Sequence, residues 1–373
     1  MKPHVRDHEQ AMKPRLAIIG GGIAGLSCGA RAVADFDVTV LEAEMQPGYH
    51  SSGRSAAVAI ESYMNPLVHT LTCQSRAHHL SAGARVSQCC EVADAEHAPV
   101  VDAFVDTWRR LCPDLRVVEV SEMRARVPIL RAEAVSRVVE DPNTLALDAY
   151  GMLEGYRRAL TGAGGRVVSN ARVTAIERAG GSWRLRYGER GDASLDADVV
   201  VNAAGAWGDE VAVLAGLEPL GLQPFRRTAL LLDPSQDVSG WPMVHRAQGG
   251  LYFKPEAGLL MVSLGDETPS PPCDARPEEL DIALILHRFQ EMTTVEAVRP
   301  VQTWAGLRTF LPDRHPAVGY DPAVDDFFWL VGQGGFGMQT APALSLLAGD
   351  LLAGRDHPLA AAVAPGRSQP AAG

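Results

Sequence analysis

Three glycines, Gly20, Gly22 and Gly25, stand in G-x-G-x-x-G spacing, and a carboxylate, Glu42, follows Gly20 by 22 residues. Each has a separate task. The first glycine permits a tight turn from strand to helix. The second lets the backbone approach a pyrophosphate, and the third lets the helix pack close to the strand. The helix that starts at Ile23 and Ala24 then offers unpaired N–H groups and a positive dipole end to phosphates. A carboxylate at the end of the next strand accepts hydrogen bonds from ribose hydroxyls. An acid there, rather than a basic residue, disfavours a 2′-phosphate, which leaves NAD or FAD as the dinucleotide. A second glycine run, Gly332-Gln333-Gly334-Gly335-Phe336-Gly337, follows an apolar strand and precedes a helix. Glycines there let backbone N–H groups converge on an electron-rich atom.

The elements that must carry these loops are legible nearby. Residues 15–20 (RLAIIG) form an apolar run that predicts a buried strand. Residues 23–34 predict a helix and residues 37–42 (DVTVLE) a second strand, together a βαβ unit. Helices are predicted over 64–80, 98–111, 147–163 and 340–353. Between 166 and 263 short strand-like runs alternate with Gly, Asp and Asn, and a strand over 327–331 leads into the second glycine loop. An α/β beginning thus passes through a strand-rich middle to an α/β end, with no internal repeats.

Composition removes several function classes. The 373 residues are enough for two domains and a substantial core without metals or disulfides. Forty-five acidic against 34 basic residues give a formal net charge of −11, which excludes nucleic acid as a partner for the whole surface. The six cysteines contain no CxxC pair, so the spacing offers no metal site and predicts a reduced, cytoplasmic protein. The first 13 residues carry no apolar signal core. No run approaches a transmembrane segment. The segment after Ala360, rich in Ala, Pro and Gly, is expected to fray.

The stretch after β-turn and acid, residues 42–57 (EAEMQPGYHSSGRSAA), resembles the D-amino-acid oxidase and glycine oxidase superfamily of flavoproteins. Further matching segments are 198–207 (DVVVNAAGAW), 222–227 (LQPFRR), 252–255 (YFKP), 303–308 (TWAGLR) and 332–340 (GQGGFGMQT). Within the superfamily the pattern is similar to that of the bacterial D-arginine dehydrogenases. The resemblance implies a Rossmann-type FAD-binding domain with a mainly antiparallel β-sheet substrate domain inserted into it, an α/β and α+β chain. The FAD domain is expected from 14–78, 144–217 and 303–360, and the substrate domain from 79–143 and 218–302, with tails at 1–13 and 361–373.

The same resemblance assigns FAD contacts to Gly20, Gly22, Ile23, Ala24 and Gly25, and to Glu42, Ala43, Ser52, Arg54 and Ser55. Val173 would meet the adenine through its backbone, and Ala204, Gly205 and Trp207 the flavin. Gly332, Gly335, Gly337, Met338, Gln339 and Thr340 would lie beside the ring. It implies a carboxylate clamp of Arg227, Arg308 and Tyr252, with Tyr63 as a lid and Gly335 at the reacting centre. Guanidinium supplies the planar donor pair that a carboxylate needs and ammonium does not. Strand alternation sends only one of Arg226 and Arg227 toward the site.

Two departures weigh against D-arginine itself. Val58 stands where the dehydrogenase pattern has a pocket histidine, and its guanidinium-binding acid falls within 87–91, which contains Glu91. A D-amino acid or a secondary amino acid remains the expected substrate. Hydride would pass from its α-carbon to flavin N5, leaving an imino acid. His50, His78, His79 and His245 read as structural or exposed. No Cys precedes Pro312–Asp313 as in the covalent sarcosine oxidases, so the FAD is expected to be non-covalent and no metal is implied. A biosynthetic oxidase for a cyclic or carrier-bound amino acid, and a non-catalytic flavin-binding subunit, are the other readings. The electron acceptor (oxygen, quinone or another) is left open.

Overall fold

The computed structural model describes residues 12–296 and 299–367. Its first unit is β1 (Arg15–Ile19), α1 (Ile23–Ala32) and β2 (Asp37–Leu41). These strands sit in a six-stranded sheet ordered Ala317–Asp321, Val324–Val331, Val199–Asn202, β1, β2, Arg166–Val168. All neighbours are parallel except the first pair. Side-chain alternation along β1 explains how both faces are covered. Leu16 and Ile18 pack with Leu160 and Leu347 of helices Ala149–Gly162 and Gly337–Leu352. Ala17 and Ile19 pack with Trp183 and Leu185 of a three-stranded meander, Val173–Ala179, Ser182–Tyr187 and Ala193–Ala197. A strand buried on both faces must read as an uninterrupted apolar run, which residues 16–19 do.

The second sheet is larger. Its path runs Thr268–Pro269, Gln223–Leu232, Leu259–Ser263, Tyr252–Glu256, Met243–Arg246, Cys89–Ala93, Arg137–Asp141, Arg116–Val117. Pairing is antiparallel apart from the parallel contact of Met243–Arg246 with Cys89–Ala93. One face is sealed by helices Glu279–Met292 and Val120–Arg126, where Phe253 and Val262 meet Ile285 and Phe289. The other face is turned toward the first sheet's loops and lines a cavity.

Several expectations move. Residues 303–310, expected with the FAD-binding segments, belong to strand Gln302–Phe310, which pairs with Gln223–Leu232 from Gln223↔Phe310 to Leu231↔Gln302. The ladder carries the chain through the large sheet as far as Phe310 before it returns to the first. The last long helix starts at Gly337, three residues before the expected 340. The segment after Ala360 is held rather than frayed as far as residue 367. Val363 is fully buried, and the Arg367 guanidinium bonds both oxygens of Asp313 at 2.7 and 2.9 Å. The rest of that tail, and residues 1–11, lie outside the described residues. Among the described residues, no helix is long and apolar enough to cross a membrane, and no cluster of three or more His, Cys, Asp or Glu side chains is arranged for a metal.

Candidate active site

One cavity of about 480 Å³ runs from the Gly20–Gly25 turn to the open face of the large sheet. At the turn, the sequence acts by omission. Gly20 has φ +106°, and a Cβ there would lie 2.5 Å from the Ala203 carbonyl oxygen. A Cβ on Gly25 would lie 1.9 Å from the Gly20 carbonyl oxygen. Only glycine lets α1 start so close to β1 and to the next strand. Gly20, Gly22, Ile23 and Ala24 line the cavity; Gly25 does not, because its place is the helix–strand contact. The Ile23 N–H donates to Ser52 Oγ at 3.0 Å, which draws the 48–55 loop over the helix N-terminus.

Glu42 is 7% exposed. Its carboxylate accepts from the Gly21 N–H at 2.7 Å and the Glu44 N–H at 2.8 Å. Burial pushes its pKa above the ordinary carboxylate value, and those two backbone bonds oppose the shift. The residue thus holds the turn in shape as well as lining the cavity with Ala43, Ser52 and Ser55. The Arg54 guanidinium donates to the carbonyls of Ala275 at 2.8 Å and Ala305 at 2.9 Å, and to Asp274 at 2.5 Å. Arg54 lines the cavity, and its two terminal guanidinium nitrogens staple the loop to the 274–275 segment and to the large sheet.

Val173, Ala204, Gly205 and Trp207 line the opposite wall, with Gly332, Gly335, Gly337 and Met338 at the second glycine loop. Gln339 reaches the wall, but its side chain is spent on Thr72 Oγ1 at 2.8 Å and on the backbone of Ile60. Thr340 does not reach it. Fully buried, it donates to the Phe336 carbonyl within the helix at 2.8 Å. One donor here lacks an acceptor: Gln333 Nε2 is buried without a partner and its residue lines the cavity. A donor-rich glycine turn, a helix N-terminus and an orphaned amide N–H together fit an oxygen-rich dinucleotide.

On the large sheet, charged side chains replace glycines. Arg227 and Arg308 both face the cavity, as do Tyr252 and Tyr63. Alternation resolves the Arg226–Arg227 choice. Arg226 turns to the other face, where it pairs with Glu278 and with Asp281 at 3.3 Å. Arg227 Nε donates to the Asp266 carbonyl at 2.5 Å, and the nearest side-chain carboxylates stand off at 3.6 and 3.9 Å. Burial, and then the charge of Arg308, push its pKa below the usual arginine value. Arg308 donates to the Tyr63 hydroxyl at 3.2 Å. Among the described residues, no carboxylate comes within salt-bridge distance of it. Two partly buried cations without tight counter-ions make a site for an anion. Tyr252 registers their field. Burial alone would raise its phenol, but Arg308 and Arg227 outweigh that and hold it below the ordinary value.

The sequence reading missed one pair. His245, taken as structural or exposed, lines the cavity with Glu91, and its Nδ1 lies 2.8 Å from Glu91 Oε2. His50 also lines the cavity, with Nε2 3.0 Å from Glu44, whereas His79 is buried against the Gln339 carbonyl. No local signal marks Glu91 and His245, because they lie 154 residues apart and meet only through the parallel strand pair.

A family model described as FAD dependent oxidoreductase matches residues 15–351. Glycine oxidase of Pseudomonas aeruginosa is 24% identical over 384 residues, covering 92% of this chain and 96% of that protein. Among solved structures, glycine oxidase from Geobacillus kaustophilus superposes with a TM-score of 0.85 at 21% identity, covering 96% of this chain and 100% of that one. L-proline dehydrogenase from P. horikoshii gives 0.84 at 19%, covering 95% and 97%. At such identities the structural likeness is one of fold.

Proposed function

The chain belongs to the FAD-dependent oxidoreductase family, and from that premise we propose that it oxidises a D-amino acid or secondary amino acid at the carbon bearing the amine, giving an imino acid. The observation that carries this reading is the convergence of Arg227, Arg308 and Tyr252 on one cavity face opposite the two glycine loops. Bound FAD supplies the two-electron acceptor. Gly20, Gly22 and the start of α1 would hold its phosphates, Glu42 its ribose, and the 332–338 loop its ring.

The side chains of the sheet do the rest. Arg227 and Arg308 take the substrate carboxylate by charge-assisted bonds. Tyr63 orients Arg308 through its hydroxyl, and Tyr252 adds a phenolic donor. Fixing the carboxylate fixes the adjacent carbon, which is the positional part of catalysis. Cys89, Met243, Met261, Ala229 and Trp304 provide a largely apolar wall around the group that varies between amino acids. Relatives named for glycine oxidation and a fold neighbour named for L-proline oxidation support an amino-acid substrate. With no cysteine in 304–311, the flavin is held without a covalent bond and is released on denaturation.

The test is anaerobic. D-, L- and N-alkyl amino acids are added to the yellow holoenzyme and the flavin absorbance is followed. Bleaching by at least one of them is the expected result; no bleaching by any amine overturns the reading. Repeating the assay in air separates use of oxygen from use of another acceptor.

A further inference from the structure

Five strands of the large sheet carry one cross-strand row into the cavity wall. Register pairs Glu91 with His245, His245 with Tyr252, Tyr252 with Ser263, Ser263 with Ala229, and Ala229 with Trp304, the last on a sixth strand. Residues in register on neighbouring strands project to the same face. The acid–imidazole pair therefore sits one strand from Tyr252, with the His245 and Tyr252 rings 6.1 Å apart. Arg227 and Arg308 lie on the far side of Tyr252, on the strands that carry Ala229 and Trp304. In an α-amino acid the amine is one carbon from the carboxylate, so a carboxylate held at Arg227, Arg308 and Tyr252 brings its ammonium group toward this neighbour.

We propose that His245, held by Glu91, takes the proton from the substrate's ammonium group before the adjacent C–H bond breaks. The inference rests on the amine-oxidation reading above. A carboxylate only accepts, so Nδ1 of His245 donates to Glu91 at 2.8 Å, and the neutral ring carries its lone pair on Nε2. In the step, an N–H bond of the ammonium breaks and its electron pair stays on nitrogen. The proton forms a new bond at Nε2, and the positive charge moves to an imidazolium that Glu91 meets. The free amine then has the lone pair that stabilises the cation left at carbon when the C–H electron pair departs. Four groups face the imidazole: Glu91, Tyr252, Arg227 and Arg308. Burial and the two arginines pull its pKa down, Glu91 pulls it up, and the net shift is upward.

The experiment measures kcat/KM for anaerobic bleaching against pH with two amino acids that reduce the flavin and differ in amine basicity. An imidazolium cannot accept a proton, so kcat/KM rises with pH through the ionisation of His245. The expected midpoint lies above the ordinary imidazole value of about 6.5 and is the same for both substrates. In Glu91→Gln the support for the charged ring is gone, and the midpoint falls. In His245→Asn the rise moves to the amine pKa of each substrate. Titration of 13Cε1-labelled histidine in the substrate-free holoenzyme reports the same midpoint, on a signal missing from His245→Asn. A wild-type midpoint that follows the substrate's amine overturns the proposal without any variant, and so does an unmoved midpoint in Glu91→Gln. Absence of bleaching by every amine overturns the functional reading, and this inference with it, so the two failures are distinguishable.

Discussion

At the Gly20–Gly25 turn a single Cβ on Gly25 would lie 1.9 Å from a carbonyl oxygen, whereas the large sheet crowds Arg227, Arg308, Tyr252, His245 and Glu91 onto one cavity wall. The first region presents backbone, by keeping side chains out. The second presents side chains, and its backbone is the ruler that spaces them. The difference follows from the ligands each is suited to. A dinucleotide is long and rich in oxygens, and N–H groups of a turn and helix start can meet it wherever the chain comes close. A small zwitterion offers one carboxylate and one amine, and only charged groups at fixed spacing tell its two ends apart.

The comparison breaks hardest at Gly25. Gly25→Val forces a branched side chain into the Gly20 carbonyl, and backbone on both sides cannot yield. The expected product is colourless or unfolded, read from the ratio of flavin to protein absorbance. Gly29→Ala, one turn along the same helix, is the control. Its Cβ would meet the flexible Leu160 side chain at 3.2 Å, so the protein keeps its FAD, with alanine's helix propensity worth up to about 1 kcal/mol in its favour. A Gly25→Val protein with a full complement of FAD contradicts the claim that this end works by omission.

Arg308→Ala tests the second region. Loss of a charge-assisted bond costs about 1.5–3 kcal/mol, roughly a 12- to 150-fold rise in KM at 1.4 kcal/mol per tenfold, with FAD content unchanged. Arg308→Lys restores only part of it, since ammonium lacks the planar fork. Arg226→Ala, on the opposite face against Glu278 and Asp281, leaves KM near the wild-type value. Equal effects of the Arg226 and Arg308 variants mean that the row of cavity-facing side chains is not what selects the substrate.

The two regions also differ in how they can be read from the chain. The turn is local: Gly20, Gly22, Gly25 and Glu42 lie within one βαβ unit, so spacing alone exposes it, and the apolar run 16–19 shows its double burial. The clamp arginines surfaced only through resemblance, because an arginine on a strand has no local mark of facing a cavity rather than Glu278. Glu91 surfaced only as part of 87–91 and His245 only as structural or exposed; their pairing escaped, since the parallel contact between 89–93 and 243–246 is invisible in either segment. Arg54 was legible only in part: it lines the cavity, as its motif implies. Its neighbours match the family pattern, but its guanidinium is claimed by Ala275, Ala305 and Asp274, which sequence position cannot reveal. The sheet that 303–310 joins is hidden in the same way, because its ladder partner is the distant strand Gln223–Leu232.

The smallest expected effect lies at Tyr252, and its sign is informative. Arg308 and Arg227 hold the phenol below its ordinary value of about 10 despite burial. Below that ionisation the neutral hydroxyl donates to the incoming carboxylate; above it, a phenolate both repels the carboxylate and occupies the two guanidinium groups. Inhibition by propionate, which has a carboxylate and no amine, isolates this from any titration of substrate nitrogen. In the wild type its Ki is expected to be flat through neutral pH and to rise as pH climbs through a midpoint below 10. Tyr252→Phe loses one hydrogen bond, worth about 0.5–1.5 kcal/mol, so Ki at neutral pH weakens roughly 2- to 12-fold. The alkaline rise disappears with the phenol. A variant that keeps the rise would place the titrating group elsewhere on the sheet and remove Tyr252 from the clamp, leaving the two arginines to bind the carboxylate alone.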